Sequence, residues 1–118
     1  MKNHELRAEI RKVEKEAHVN IVNPGIDGCD HERFSIGKVT YLNGLSPEDT
    51  IIEASREPES LPAGNLLDSL EELDPDADAQ VYVTDWEGQG FAYFDIANVR
   101  VIDHTADIIL GAWRCGGS

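Results

Sequence analysis

The stretch Phe34-Ser35-Ile36-Gly37-Lys38-Val39-Thr40-Tyr41-Leu42-Asn43 aligns without a gap on Phe94-Asp95-Ile96-Ala97-Asn98-Val99-Arg100-Val101-Ile102-Asp103. Phe, Ile and Val recur at the same spacing in both. Each stretch reads as a β-strand, because β-branched and aromatic residues suit a pleated, half-buried surface. Neither alternates strictly. Phe34 and Ile36 fall on one face of a regular strand and Val39 and Tyr41 on the other, and the same break comes at Phe94, Ile96, Val99 and Val101. A β-bulge at Gly37-Lys38 and another at Ala97-Asn98 would return the four apolar side chains of each stretch to one buried face.

The surroundings of the two stretches match as well. Downstream of each comes a turn and an Ile-Ile pair: Ile51-Ile52 after the loop Leu45-Ser46-Pro47-Glu48-Asp49, and Ile108-Ile109 after His104-Thr105-Ala106. Upstream lies a short apolar run, Val19-Asn20-Ile21 in one half and Val81-Tyr82-Val83 in the other. Before each run comes a helical pattern. Leu6, Ile10, Val13 and Ala17 recur near the 3.6-residue period, and so do Leu66, Leu67, Leu70 and Leu73. The Pro- and Gly-punctuated connection from Glu57 to Gly64 separates the halves. These features predict an α+β fold made by internal duplication, two tandem helix-strand-strand-strand units over 1–56 and 63–113. In it, antiparallel strands form one sheet or two facing sheets, with two helices packed on one side. Trp86-Glu87-Gly88-Gln89-Gly90 reads as a hairpin turn and 114–118 as a flexible tail.

At 118 residues there is room for a single domain spanning 1–118, with a core but no second domain. Hydrophobic residues make up 41% of it, enough to fold against a net charge of −13. That charge, 10 Lys and Arg against 23 Asp and Glu, excludes direct binding to nucleic acid or an anionic membrane, since both demand a cationic surface. The start, Met1-Lys2-Asn3-His4-Glu5, has no apolar core for a signal peptide, and no apolar run is long enough to span a bilayer. Cys29 and Cys115 stand far apart with no CxxC pairing. A soluble cytoplasmic protein in a reducing compartment is the expectation.

The acids are unevenly placed. Residues 48–78 hold eleven of them against Arg56 alone, whereas 1–16 are nearly balanced. The second helical segment exposes Asp68, Glu71 and Glu72 and runs into Asp74-Pro75-Asp76-Ala77-Asp78. Carboxylates at a helix C-terminus oppose the macrodipole, so stability alone does not call for them there. Asp68, Glu71, Glu72, Asp74, Asp76 and Asp78 are therefore the candidate partner-binding residues, forming an acidic surface complementary to a basic protein. The competing reading is a solvated face that keeps the chain soluble.

No catalytic signature is present: no GxSxG, no glycine-rich phosphate loop and no Cys paired with a His by spacing. The run Asp74, Asp76, Asp78 occupies positions 1, 3 and 5 of an EF-hand loop. However, Ala79 stands where the turn wants Gly and Asp85 where a bidentate Glu is usual. Cys29-Asp30-His31-Glu32 gathers ligand types in one loop, with no second cluster at a zinc spacing. Neither implies a resident metal or cofactor. Trp86, Trp113, Tyr82, Tyr93 and Phe91 divide between core and a protein interface.

The segment from Leu66 through Leu73-Asp74-Pro75-Asp76-Ala77 to Val83, followed by a hairpin and a closing Ile-Ile-Leu, resembles a unit of small acidic bacterial and phage accessory proteins. In that unit a leucine helix ends in a Pro-Asp-Ala turn and enters a β-meander. The resemblance covers about residues 64–112 and implies an α+β fold and a phage or prophage origin, with no catalytic residues. The expected function is a non-enzymatic, acidic protein-interaction module, such as a phage-type inhibitor or nucleic-acid mimic that binds a basic, nucleic-acid-handling protein. A toxin-neutralising immunity protein follows the same charge logic. A divalent-cation-dependent protein using Asp74, Asp76 and Asp78, and a homo-oligomer pairing exposed sheet edges, are the alternatives.

Overall fold

The structure is a computed structural model that describes residues 1–24, 30–42, 49–57, 60–84 and 91–114. The elements in chain order are α1 (Asn3–Ile10), β1 (His18–Pro24), β2 (Asp30–Leu42), β3 (Asp49–Ser55), α2 (Ala63–Glu71), β4 (Asp78–Thr84), β5 (Phe91–Ile102) and β6 (Thr105–Arg114). The strands close into a barrel in the order β1-β2-β3-β4-β5-β6. Neighbours are antiparallel except at two seams, β3 with β4 and β6 with β1, where they run parallel. Those seams put the starts of β1 and β4 at the same end of the barrel. The helices that precede them therefore meet there, and they touch.

This overturns the expected α+β fold of two tandem helix-strand-strand-strand units with antiparallel sheets and two helices on one side. The molecule is strand-rich, its helices are only 8 and 9 residues long, and its single sheet is mixed and closed. The halves are not laid out in tandem either. α1 packs on β4 and β5, and α2 packs on β2. Two three-stranded units would each leave edges of unpaired amides and carbonyls, and closure removes them. The predicted pairing of exposed sheet edges into a homo-oligomer loses its basis for the same reason.

Side chains fill the barrel. Val19, Ile21, Phe34, Ile36, Ile52, Val81, Phe94, Ile96, Val99 and Ile108 point inward, and Leu6, Ile10, Leu66 and Leu70 close the helical end. The four helix residues are fully buried, each contributing roughly 1.5–3 kcal/mol by leaving water. Register shifts do fall between Ile36 and Lys38 and between Ile96 and Asn98, where the broken alternation places them. They bring Phe34, Ile36, Phe94, Ile96 and Val99 to the inner face, with Val39 half-buried. Val101, at the hairpin end of β5, remains 36% exposed. The side chain of Tyr41, the turn at Trp86 to Gly90 and residues 115–118 lie outside the described residues.

α1 stops at Ile10, short of the Ala17 that the periodicity suggested. The carbonyls of Lys15 and Ala17 are used elsewhere, accepting from Gly64 N at 2.9 Å and Ala63 N at 3.0 Å. The other helix start is held in the same way, Asn3 N donating to Ala77 O at 2.9 Å and His4 N to Pro75 O at 3.1 Å. Neither Lys2 nor Pro62 caps its helix with a side chain. Each helix instead has its first two amides satisfied by the turn that leads into the first strand of the other half.

Candidate acidic docking face

Between the turn that follows α1 and the flank of α2 lies a groove of about 770 Å³. Val13, Pro62 and Leu67 give it apolar lining, and Glu14, Glu16, Asp68 and Glu71 line it with Arg11 and Lys15. Two of the six predicted partner-binding acids, Asp68 and Glu71, line it. Glu72, at the C-cap of α2, and Asp74 and Asp76, in the following turn, are exposed beyond its end. Asp78 lies on β4 and is half-buried.

Their electrostatic states differ. Glu71 Oε1 is 3.2 Å from Arg11 Nη2, and Asp78 Oδ1 is 3.3 Å from Lys2 Nζ, so the N-terminal segment neutralises part of the acidic run. All four groups are substantially solvated, and such pairs contribute at most about 1 kcal/mol each. Asp74 is tied into its turn, with Oδ1 accepting from Asp76 N at 2.9 Å and the main-chain carbonyl accepting from Asn3 Nδ2 at 2.8 Å. Among the described residues, Asp68, Glu72 and Asp76 have no cationic partner within ion-pair distance. The last turn of α2 carries no base.

Asp74, Asp76 and Asp78 do not converge on a point, since one closes the turn and another faces Lys2. Among the described residues, no three His, Cys, Asp or Glu side chains gather closely enough to hold a metal ion. Cys29 and the side chains of Asp30 and His31 lie outside the described residues, as do Asp85 and the side chain of Trp113. Glu32 Oε2 lies 3.7 Å from Arg56 Nη1. His104 Nδ1 lies 4.0 Å from Glu14 Oε1, beside the groove.

Two further sites on the outer face of the barrel escaped sequence reasoning. At the β6–β1 seam, Asp107, its side chain 6% exposed, accepts from Arg33 Nη2 and Arg100 Nη2 at 3.0 Å each, and from Asn20 Nδ2 at 3.4 Å. Ile102 and Asp103 border a cleft of about 480 Å³ beside it. At the β3–β4 seam, Thr40, Ile51, Glu53, Tyr82 and Tyr93 line a pocket of about 220 Å³. The two tyrosine rings are 5.1 Å apart and tilted by 53°. The Tyr93 hydroxyl ionises above its ordinary value, first because it is partly desolvated and then because Tyr82 and Glu53 disfavour a second negative charge.

Only pairing register could have revealed these sites. Arg33, Arg100 and Asp107 sit on three different strands, with nothing in their spacing to connect them. Among the described residues no helix is long and apolar enough to cross a membrane. Compared with known protein families, curated proteins and solved structures, the chain matches none of them.

Proposed function

We propose that this protein is a non-enzymatic acidic interaction module that docks a basic partner protein at the helical end of its barrel. The observation that carries the reading is the set Asp68, Glu72 and Asp76, exposed and without a cationic partner among the described residues, beside a groove partly lined by the apolar Val13, Pro62 and Leu67. Apolar contact supplies affinity, and the acids supply approach and selectivity against acidic competitors. Placing carboxylates at the end of α2, where they oppose the helix dipole, has a cost that a purely structural helix would avoid. A nucleic-acid-handling protein, recognised by a phage-type inhibitor in a cytoplasm, is the partner class that fits this charge.

The test is affinity capture from nuclease-treated lysate of the source organism at low and high salt, with wild type and with the triple variant D68K/E72K/D76K. A basic protein retained at low salt, released at high salt and lost with the variant is the expected result. The variant must keep its melting temperature within a few degrees for the comparison to count. Retention that is indifferent to both salt and charge reversal would overturn the reading, as would no retention at all.

A further inference from the structure

Corresponding positions on the two halves of the barrel provide an internal comparison. Phe34 faces Ile21 and Phe94 faces Val81, while Val39 faces Ile52 and Val99 faces Ile108. Carried along the strands, this matching sets Thr40 beside Ile51 where the other half has Arg100 beside Asp107. Tyr93 takes the place of Arg33, and Gln80, facing Ile51 across its seam, takes the place of Asn20, facing Asp107. Glu53 stands where the other half has Ile109, one same-face step along β3 from Ile51. The two outer sites are thus the same place on the barrel, furnished differently.

At the β6–β1 seam the chain supplies its own guanidinium groups to its own carboxylate. At the β3–β4 seam the position that corresponds to Arg100 holds the short Thr40, and a pocket opens beside it. That opening is walled by two tyrosine rings and the Glu53 carboxylate. At about 220 Å³ it is smaller than small-molecule sites, which run from roughly 300 to 1,000 Å³, and suits one side chain. Tyrosine faces and a carboxylate together attract a planar cation, the guanidinium stacking on the ring while its N–H groups meet the carboxylate. Lys38 Nζ, 3.5 Å from Glu53 Oε2, is a mostly exposed internal competitor. We propose that the pocket of Thr40, Glu53, Tyr82 and Tyr93 receives an arginine side chain of the docked partner. This rests on the reading of the protein as a binder of basic partners and adds a specific anchor to it.

The test is an NMR titration of the whole protein with Nα-acetylarginine methylamide, following the ring signals of Tyr82 and Tyr93. The citrulline analogue serves as the neutral isostere. Arginine is expected to shift both rings saturably and citrulline is not. Glu53→Gln should weaken the response roughly tenfold, and Lys38→Met should strengthen it several-fold by removing the competitor. D68K/E72K/D76K, which alters the helical end instead, should change it by no more than about twofold in physiological salt. The absence of a saturable response in both wild type and Lys38→Met overturns the proposal. So does an equal response to citrulline, or one untouched by Glu53→Gln. Salt-sensitive capture without an arginine response would sink the pocket alone, and an arginine response without such capture would sink the acidic-face reading alone.

Discussion

Gly111 on β6 lies against the bulge of β5, where an added Cβ would sit 3.2 Å from both Cβ and N of Ala97 and 3.3 Å from Asp95 O. The corresponding contact in the other half has the small residue on the opposite strand, with Gly37 in the bulge and Ser55 across from it, 3.3 Å from an added Cβ. Each crossing accommodates one Cβ. Gly111→Ala is therefore expected to cost about 1–3 kcal/mol in urea unfolding, outweighing the roughly 0.4–1 kcal/mol that a Gly-to-Ala change gains from a stiffer unfolded chain. Ala97→Gly in that background should restore only part of the loss, because two of the three close contacts are main chain. A Gly111→Ala protein as stable as wild type would show that the crossing is looser than these distances imply. Asp107 and Ile51 make a second residue-scale contrast. Both are nearly buried at corresponding places, one neutralised by two arginines and the other simply apolar. Ion clusters of this kind are seldom more stable than apolar packing.

At the scale of elements, the connection between β3 and α2 is part of the wall. Ser60 Oγ accepts from Ile36 N at 3.0 Å and donates to Val19 O at 2.7 Å, and Leu61 N donates to Ile36 O at 3.2 Å. The β1–β2 pairing ends at Asn20 with Ser35, just before the bulge in β2, and residues 60–62 supply the pairing beyond it, with Pro62 bridging His18. Met1 and Lys2 do the same for β4, through Ala79 N donating to Met1 O at 2.9 Å and the bridge of Lys2 to Asp78. Ser60→Ala removes both side-chain hydrogen bonds and leaves a part-buried amide and carbonyl poorly satisfied. The expected loss is about 1–3 kcal/mol, with faster amide exchange at Ile36 in native-state hydrogen exchange. Unchanged stability and exchange would mean that water substitutes for the hydroxyl.

For the whole molecule, the two halves cannot be separated. The β6–β1 seam joins the last strand to the first, and each helix starts on carbonyls of the other half. Helices of 8 and 9 residues are below the length at which isolated helices persist in water, so they depend on those caps and on burial. Fragments 1–57 and 58–118, prepared separately, are therefore expected to lack native far-UV circular dichroism and dispersed amide resonances. A fragment that folds alone would contradict this interdependence. The net charge of −13 also belongs to this scale, because Lys2 and Arg11 reach the acidic run only through the tertiary fold.

By itself the sequence determined where the strand cores lie and the bulges beside Gly37-Lys38 and Ala97-Asn98, because side-chain parity is local. It missed the register shifts at Asn23/Pro24 and Phe94/Ile96 and read Asp30 to Glu32, the start of β2, as loop. A one-residue slip carries Phe34, Ile36 and Val39 off a common face. It also identified the acidic run and the buried faces of the two helices, at Leu6, Ile10, Leu66 and Leu70. Matching Ile51-Ile52 to Ile108-Ile109 by apolar character was out by one residue, since pairing sets Ile52 against Val39 and Ile108 against Val99. Matching Val19-Ile21 to Val81-Val83 was out by two, since Phe34 faces Ile21 and Phe94 faces Val81. Apolarity tells which face a residue occupies and not which residue it faces, and loops of unequal length shift the match. Only the tertiary structure decided barrel closure, the parallel seams and the partners of Glu71, Asp78, Asp107 and Glu53. Each is set by contacts between residues distant in the chain, whose pairing no local pattern encodes.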